Sequence, residues 1–238
     1  MTIGGRILGL LAMLVTTSPA WAQAPATAPS QPAAAPTGPV YVVTYFNAAP
    51  AASRRTNTLL RQFDAAARKA DGNLEFLALH EIARSGHYAM LEGWRDKAAL
   101  EAHAAAMKAL GDKLKPSVTA PFSARQFLPF AVAGKPTAGA TVGAIWVLTH
   151  IDVFPTHKDA AAAMVKEQVE ASRKDGGVLR FDALVWDGHP NHFELVEAWA
   201  NRGAQQAHEL ADHTKEFRAK LVPLEGGLYD ERLYEALR

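Results

Sequence analysis

The feature that most constrains this chain is an internal repeat, which runs without a gap over about sixty positions. A spacing of 105 residues pairs Val42 with Val147, Thr44 with Thr149, Gly72 with Gly177, Phe76 with Phe181, Glu92 with Glu197, Trp94 with Trp199 and His103 with His208. After two inserted residues the spacing becomes 107, and it then pairs Lys113 with Lys220, Pro116 with Pro223 and Arg125 with Arg232. Identities at fixed spacing that include rare Trp and His indicate a duplicated module of about ninety residues.

Each copy of the module is predicted to fold as β-α-β-β-α-β. The opening strands, residues 41–47 and 143–153, are rich in Val, Tyr, Ile and Trp. Apolar residues at helical spacing follow, and the helices end at Asp71-Gly72 and Gly176-Gly177, which tolerate positive φ. Each copy then continues with a hairpin, a second helix that begins after an N-cap residue, and a closing strand. The predicted bounds are hairpins 74–81 with 87–94 and 178–186 with 192–199, helices 97–113 and 202–220 after Asp96 and Asn201, and strands 123–130 and 228–237.

A module of this pattern forms an antiparallel four-stranded sheet with helices on one face only. The other face is apolar and uncovered, so two copies can bury these faces against each other. We therefore expect an α+β fold in which two ferredoxin-like βαββαβ modules, residues 40–130 and 143–238, form an intramolecular, pseudo-dimeric α+β barrel. A linker at residues 131–142 would connect them, and the duplication would supply the dimer partner within one chain.

The N-terminal segment is predicted to lie outside this fold. Arg6 provides a short basic region, residues 7–15 are apolar, and Ala20-Trp21-Ala22 has the small-x-small pattern of a signal peptidase site. We expect a signal peptide at residues 1–22, cleavage after Ala22 and export to a bacterial periplasm. The apolar run is too short to span a bilayer, so we expect no stable membrane insertion after cleavage. Residues 23–39 are rich in Pro and Ala and are predicted to be a tether.

Composition excludes several classes of protein. The 238 residues carry 25 Lys+Arg against 24 Asp+Glu, a balance that provides no electrostatic footprint for binding nucleic acid. The absence of Cys excludes disulfides, thiolate metal sites, iron–sulfur clusters, covalently attached c-type haem and Cys nucleophiles. Any chemistry must therefore use His, Trp, Tyr, carboxylates and hydroxyls.

The end of each hairpin carries a recurring group of residues. Glu92-Gly-Trp94 is followed nine residues after the Trp by His103, and Glu197-Ala-Trp199 is followed at the same spacing by His208. This strand-to-helix signature resembles that of the antibiotic-biosynthesis-monooxygenase family, and the resemblance covers nearly all of residues 41–237, twice. It implies a ferredoxin-like dimeric α+β barrel. Members of the family include cofactor-independent quinol oxygenases and haem-degrading enzymes.

The resemblance and the strand pattern together suggest a site. Alternation along a strand places Tyr88, Met90, Glu92 and Trp94 on one face, and Phe193, Leu195, Glu197 and Trp199 on the equivalent face of the second copy. A carboxylate among apolar and aromatic neighbours has a raised pKa and can accept a proton from a phenolic hydroxyl. We expect His103 and His208 as candidate bases with Glu92 and Glu197, and Trp94 and Trp199 as an aromatic wall.

The second copy has one additional residue, His213, which is similar to a second His that quinol-oxidising members often carry; the first copy has Lys108 five residues after His103. This difference favours the second copy as the catalytic one. Four residues on the first strands either line a substrate-binding pocket or belong to the barrel core: Tyr41, Tyr45, Trp146 and His150. The alternative to a catalytic role is that Glu92 with His103, and Glu197 with His208, form hydrogen bonds that only hold strand and helix together.

The sequence thus predicts a cofactor-independent monooxygenase that uses O₂ to oxidise a quinol, polyphenol or similar aromatic molecule. One alternative is a non-catalytic barrel that binds a small apolar or aromatic ligand. The resemblance also implies haem degradation, which is less favoured: haem-degrading members carry an Asn on the first strand, whereas this strand reads Thr44-Tyr45-Phe46 and Asn47 lies just beyond it. No cofactor and no metal site are expected. On a continuous helix His208 and His213 would point about 140° apart, and His189 and His192 fall in a predicted surface loop.

Overall fold

A computed structural model describes residues 38–133 and 143–237, and it confirms the predicted architecture. The predicted signal peptide, most of the predicted tether and most of the linker at residues 131–142 lie outside the described residues. The first module contains β1 (Val40–Asn47), α1 (Ser53–Ala67), β2 (Asn73–Glu81), β3 (His87–Trp94), α2 (Lys97–Leu114) and β4 (Ser123–Ala131). The second contains β5 (Ile145–Asp152), α3 (Lys158–Ser172), β6 (Val178–Trp186), β7 (His189–Trp199), α4 (Arg202–Leu210), α5 (Asp212–Leu221) and β8 (Asp230–Ala236).

Local sequence explains the ends of these elements. Asp96 caps α2 by accepting a hydrogen bond from the backbone N–H of Ala99 at 2.8 Å, and Asn201 caps α4 through the N–H of Ala204 in the same way. Gly72 and Gly177 adopt φ of 75° and 81°, conformations that a side chain would strain. A Cβ on Gly72 would also lie 2.5 Å from the Cβ of Ala99, so this turn requires glycine for both reasons.

The eight strands close into one antiparallel barrel in the order β1-β3-β2-β8-β5-β7-β6-β4. The closing strand of each module bridges to the other module. Strand β8 pairs with β2 through Leu79 and Ala236, and β4 pairs with β6 through Phe127 and Trp186. Among the described residues, no helix combines the length and apolar character needed to cross a bilayer.

The barrel interior is filled by side chains from both modules. Its buried apolar residues include Val43, Leu79, Leu91, Phe127, Leu148, Val196 and Tyr234. The helices cover the outer face of the sheets, where Leu60 and Phe76 form the core of the first module, and Val165 and Phe181 that of the second. The central strands of each module, such as β3 and β7, are therefore buried on both faces, whereas the closing strands β4 and β8 each have one buried residue. Removal of this apolar surface from water is the main stabilising term.

One buried ion pair crosses the barrel at equivalent positions of the repeat. Arg180 donates two hydrogen bonds to Glu75, at 2.6 and 3.0 Å, and a third to Asp182 at 2.7 Å. Glu75 and Arg180 are 105 residues apart, so the same site of each module carries opposite charges that meet next to the pseudo-twofold axis. Duplication within one chain permits this complementarity, whereas a symmetric homodimer would bring two identical charges together.

Two local predictions are wrong. The second helix of the second module is not continuous over residues 202–220, because Ala211 is extended, with φ −64° and ψ 145°, between α4 and α5. The break falls where the second copy has its two inserted residues. The surface loop predicted around His189 and His192 is shorter than expected, because β7 begins at His189 rather than at residue 192, and His192 lies 3.5 Å from the carboxylate of Asp152.

Candidate functional site

The two modules share a Glu–Trp–His arrangement on the helix-facing side of the sheet. The indole N–H of Trp94 donates to Glu92 at 3.1 Å, and that of Trp199 donates to Glu197 at 2.9 Å. The ring centres of His103 and Trp94 are 4.5 Å apart, as are those of His208 and Trp199. The carboxylates are hydrogen-bonded to Trp in both copies, so the Glu–His bond considered from the sequence is replaced by a Glu–Trp bond.

Burial controls the protonation of both carboxylates. It raises the pKa of Glu92 from 4.5 to about 7 and that of Glu197 to about 8, and the Trp hydrogen bond opposes the shift in each case. Burial also lowers the pKa of His103, whose Nε2 is buried without a hydrogen-bond partner. Near neutral pH the first module therefore holds a neutral imidazole and a carboxyl group that titrates in the physiological range.

The first module contains an apolar cavity of about 700 Å³ between α2 and the outer face of β1, β3 and β4. Met90, Thr44 and Ala124 lie side by side on these strands and form its floor. The other walls are Met107, Leu110, Gly111, Val118, Thr119, Ala120, Pro121 and Phe122. The charged lining residues, Lys108, Asp112 and Lys115, are exposed, and Lys108 forms an ion pair with Asp112 at 2.7 Å. A cavity of this size and lining suits a small apolar or aromatic molecule.

The equivalent positions of the second module carry larger, polar side chains. The spacing of 107 residues places Arg218 at the position of Gly111, Tyr229 at that of Phe122 and Glu231 at that of Ala124. Arg218 forms an ion pair with Glu231, and its guanidinium carbon lies 5.3 Å from the ring centre of Tyr229. The positions of Gly111, Phe122 and Ala124, which line the cavity of the first module, therefore carry side chains that bond to one another in the second.

The predicted catalytic residues of the second module fall into two groups. His208 and His213 meet at Asp175, at 2.7 and 3.0 Å, although the helical angle predicted that they would point apart. The helix break at Ala211 makes this possible, because His208 lies in the last turn of α4 whereas His213 lies in the first turn of α5. Glu197, in contrast, bonds only to Trp199 among the described side chains.

The predicted substrate-binding residues lie on opposite faces of the sheet. Trp94 and Trp199 are fully buried on the helix-facing side, whereas Tyr41 and Trp146 belong to the interior of the barrel. Burial and the nearby Glu75 raise the pKa of Tyr41 to about 12, so its hydroxyl stays protonated.

Tyr45 and His150 lie together at a different part of the barrel from the cavity. The Tyr45 hydroxyl donates to Glu194 at 2.5 Å, and Nδ1 of His150 lies 3.2 Å from the other carboxylate oxygen. His192 Nδ1 lies 3.3 Å from His150 Nε2 and extends this network. The structure therefore places none of these predicted substrate-binding residues in the lining of the 700 Å³ cavity.

Sequence reasoning did not identify Asp175, the cavity wall around Met107 and Phe122, or the ion pair of Glu75 with Arg180. A signal for each was present in the repeat. Comparison of the two copies shows an acid at Asp175 where the first copy has Ala70, and Arg218 where it has Gly111. Such non-identities mark the places where two modules of one fold have acquired different properties.

The chain belongs to the antibiotic biosynthesis monooxygenase family, because the family model matches residues 39–109 and 144–220, once in each module. This agrees with the repeat, the paired ferredoxin-like modules and the Glu–Trp–His arrangement. A search of curated proteins found no significant match to this sequence.

Solved structures with the same two-module architecture are similar over most of their length. One, named "Putative monooxygenase", from Fusobacterium nucleatum, has a TM-score of 0.76 and 16% identity, with 85% of this chain and 94% of that chain covered. An "anthrone oxidase-like protein" has a TM-score of 0.63 and 15% identity, with coverage of 84% and 92%. At these identities the likeness concerns the fold alone.

Proposed function

We propose that this protein is a cofactor-independent monooxygenase that oxidises a small, flat, electron-rich aromatic molecule, such as a quinol or polyphenol, in the cavity of the first module. The observation that carries the proposal is the 700 Å³ apolar cavity, whose lining residue Met90 lies two positions before Glu92 on β3; Glu92 is a buried carboxyl group with a pKa of about 7. Family membership supports the reaction class. The sequence favoured the second copy, but the position of the cavity favours the first.

The position of Glu92 relative to the cavity follows from the strand and from the repeat. Met90, which lines the cavity, lies two residues before Glu92 on the same face of β3. In the second module, the charges of Glu231 and Arg218 act on the pKa of Glu197. Ala124 and Gly111 occupy those positions in the first module and line the cavity. We infer that Glu92, which is buried and not itself a lining residue, lies behind the cavity wall formed by Met90.

In the proposed reaction, ionised Glu92 accepts the proton of a phenolic hydroxyl and leaves an electron-rich substrate anion. The anion transfers an electron to O₂, and recombination forms a carbon–oxygen bond at the ring. Loss of water then gives a hydroxyquinone from a quinol, so that quinol and O₂ yield hydroxyquinone and water. The substrate supplies all four electrons, and the apolar walls reduce the contact of the reactive anion with water.

The matched pair Glu92→Gln and Glu197→Gln tests this proposal, since both residues accept a hydrogen bond from a Trp in equivalent positions. Oxygen uptake would be measured with a panel of reduced quinones and polyphenols. Loss of the base in the first module should lower kcat by at least about a hundredfold, whereas Glu197→Gln should leave kcat close to that of the parent protein. Equal losses in both variants, or a loss only in Glu197→Gln, would exclude the first module as the unique site.

Partial closure of the cavity provides an independent check of its location. Gly111→Arg introduces the side chain present at the equivalent position of the second module, and a Cβ at Gly111 would point into open space. The variant should retain its fold and lose substrate binding. If the parent protein binds aromatic molecules, detected by quenching of Trp fluorescence, without consuming O₂ from any of them, the protein is a carrier rather than an oxygenase.

A further inference from the structure

A second polar centre lies in the other module, at the break between α4 and α5. Nδ1 of His208 is 2.7 Å from Oδ2 of Asp175, and Nε2 of His213 is 3.0 Å from Oδ1 of the same carboxylate. One donor atom from each of the three residues lies within 4.8 Å of the other two. The cluster is separate from the apolar cavity, which the first module contributes.

The donor set matches a divalent transition metal. Two imidazole nitrogens and one carboxylate oxygen form a common zinc or iron(II) ligand set, with further positions for water. Donor atoms around a tetrahedral zinc ion lie about 3.3 Å apart, since the metal–ligand bonds are about 2.0–2.1 Å long. The two imidazole–carboxylate distances of 2.7 and 3.0 Å would therefore have to lengthen by a few tenths of an ångström to accept an ion, and the two imidazole nitrogens already lie within 4.8 Å of each other.

Buried neighbours orient these ligands. Oε1 of Gln168 lies 3.3 Å from Nδ1 of His213, and the amide of Gln168 donates to the hydroxyl of Thr214 at 3.1 Å. A proton on Nδ1 leaves the lone pair of His213 on Nε2, which faces Asp175. Trp199 stacks on the ring of His208 and fixes its plane. Partners of this kind hold metal-ligating imidazoles in one tautomer and orientation.

The first module lacks the whole arrangement. With the two inserted residues placed at the helix break, the counterparts of Gln168, Asp175, His213 and Thr214 are Phe63, Ala70, Ala106 and Met107. Only His103 remains there, and its ring packs against Phe63. Four polar residues that contact one another have thus been acquired or retained together in one copy, on a scaffold that folds without them in the other.

The cluster is accessible from solvent on one side. The side chain of His208 is 5% exposed, whereas those of Asp175 and His213 are 21% and 28% exposed. A metal ion could enter past His213 and keep an open coordination position on that side. We propose that Asp175, His208 and His213 bind one divalent transition-metal ion, with zinc as the representative ion.

The test is titration of the full chain with Zn²⁺ by calorimetry after treatment with a chelator. We expect one ion per chain, and Co²⁺ as a substitute should give the absorption bands of a low-symmetry four- or five-coordinate site. His213→Ala and Asp175→Ala should weaken Zn²⁺ binding by at least about a hundredfold, and Gln168→Leu by about ten- to a hundredfold. The matched variant His103→Ala should bind like the parent protein.

Thermal unfolding with and without Zn²⁺ distinguishes a variant that has lost the metal site from one that has failed to fold. Zn²⁺ should raise the Tm of the parent protein and of His103→Ala, and should leave the Tm of folded His213→Ala unchanged. The proposal is overturned if Zn²⁺ binds the parent no more tightly than it binds His213→Ala. In that case, the cluster is a hydrogen-bonded His–Asp–His network. Because the readout is metal binding, failure here leaves the proposed oxygenase in the first module unaffected.

Discussion

Replacing Arg180 with Met should destabilise the whole barrel, because this guanidinium neutralises two buried carboxylates. The side chains of Arg180 and Glu75 are each 4% exposed, and that of Asp182 is 3% exposed. Met has a comparable length and no charge. In the Arg180→Met variant, Glu75 loses both of its bonds to the guanidinium, while Asp182 keeps its contact with Arg173 at 3.1 Å.

The magnitude follows from this burial. Removing one partner of a buried ion pair costs about 3–5 kcal/mol, because the other charge remains buried without compensation. For a domain of about 150–250 residues, each kcal/mol lowers Tm by about 2–4 °C, so the expected decrease is roughly 6–20 °C. Glu75→Leu combined with Arg180→Met should recover most of this loss, because an apolar pair of similar volume needs no charge compensation.

Urea unfolding of the parent protein, both single variants and the double variant would give the coupling energy of the pair. Circular dichroism would confirm that each variant retains its fold. A loss of less than about 1 kcal/mol in Arg180→Met, the range typical of exposed ion pairs, would refute the argument that this pair is a buried link between the modules. A double variant as unstable as the single variant would refute the charge explanation.

Three further outcomes are expected. Because burial raises the pKa of Glu92 from 4.5 to about 7, the folded state holds more protons between these values, so stability should fall as pH rises from about 4.5 to 7, while kcat/KM rises towards pH 7 and above. Glu92→Gln should reduce this slope, measured by thermal unfolding, and leave the part that the raised pKa of Glu197 contributes; an unchanged slope would show that Glu92 is not buried as described. A chain ending at residue 139 should be insoluble or homodimeric when expressed alone, and coexpression with residues 143–238 should yield a one-to-one complex by light scattering; a stable monomer of one module would contradict the shared barrel. Expression of the full chain in a Gram-negative host should give a periplasmic protein whose intact mass begins after Ala22, and a membrane-bound protein that begins at Met1 would contradict export.

Much of the fold follows from the sequence because its determinants are local or repeated. Period-two alternation, N-caps at Asp96 and Asn201 and glycine at position 72 define the elements within a few residues. The repeat then implies two modules, and an apolar uncovered sheet face implies that they pair. The helix break at Ala211 was missed because Ala is a strong helix former, and only the packing of the second module accommodates the inserted residues there.

The candidate site was only partly predictable, for a related reason. Alternation correctly placed Glu92 with Trp94, but it could not assign Tyr41 to the barrel interior and Glu92 to the helix side, because both faces of β1 and of β3 are rich in apolar and aromatic residues. Whether a space is open depends on side-chain volumes from several elements at once.

By itself, the sequence determined the duplication, the module type and the shared strand face of each Glu with its Trp. These depend on spacing along the chain, which a repeat makes visible. Only the tertiary structure decided that the first module holds a cavity, that Asp175 gathers two histidines, and that Glu75 meets Arg180 across the barrel. Each of these depends on distances between residues far apart in the chain, which are set when the sheets close and the helices pack on them.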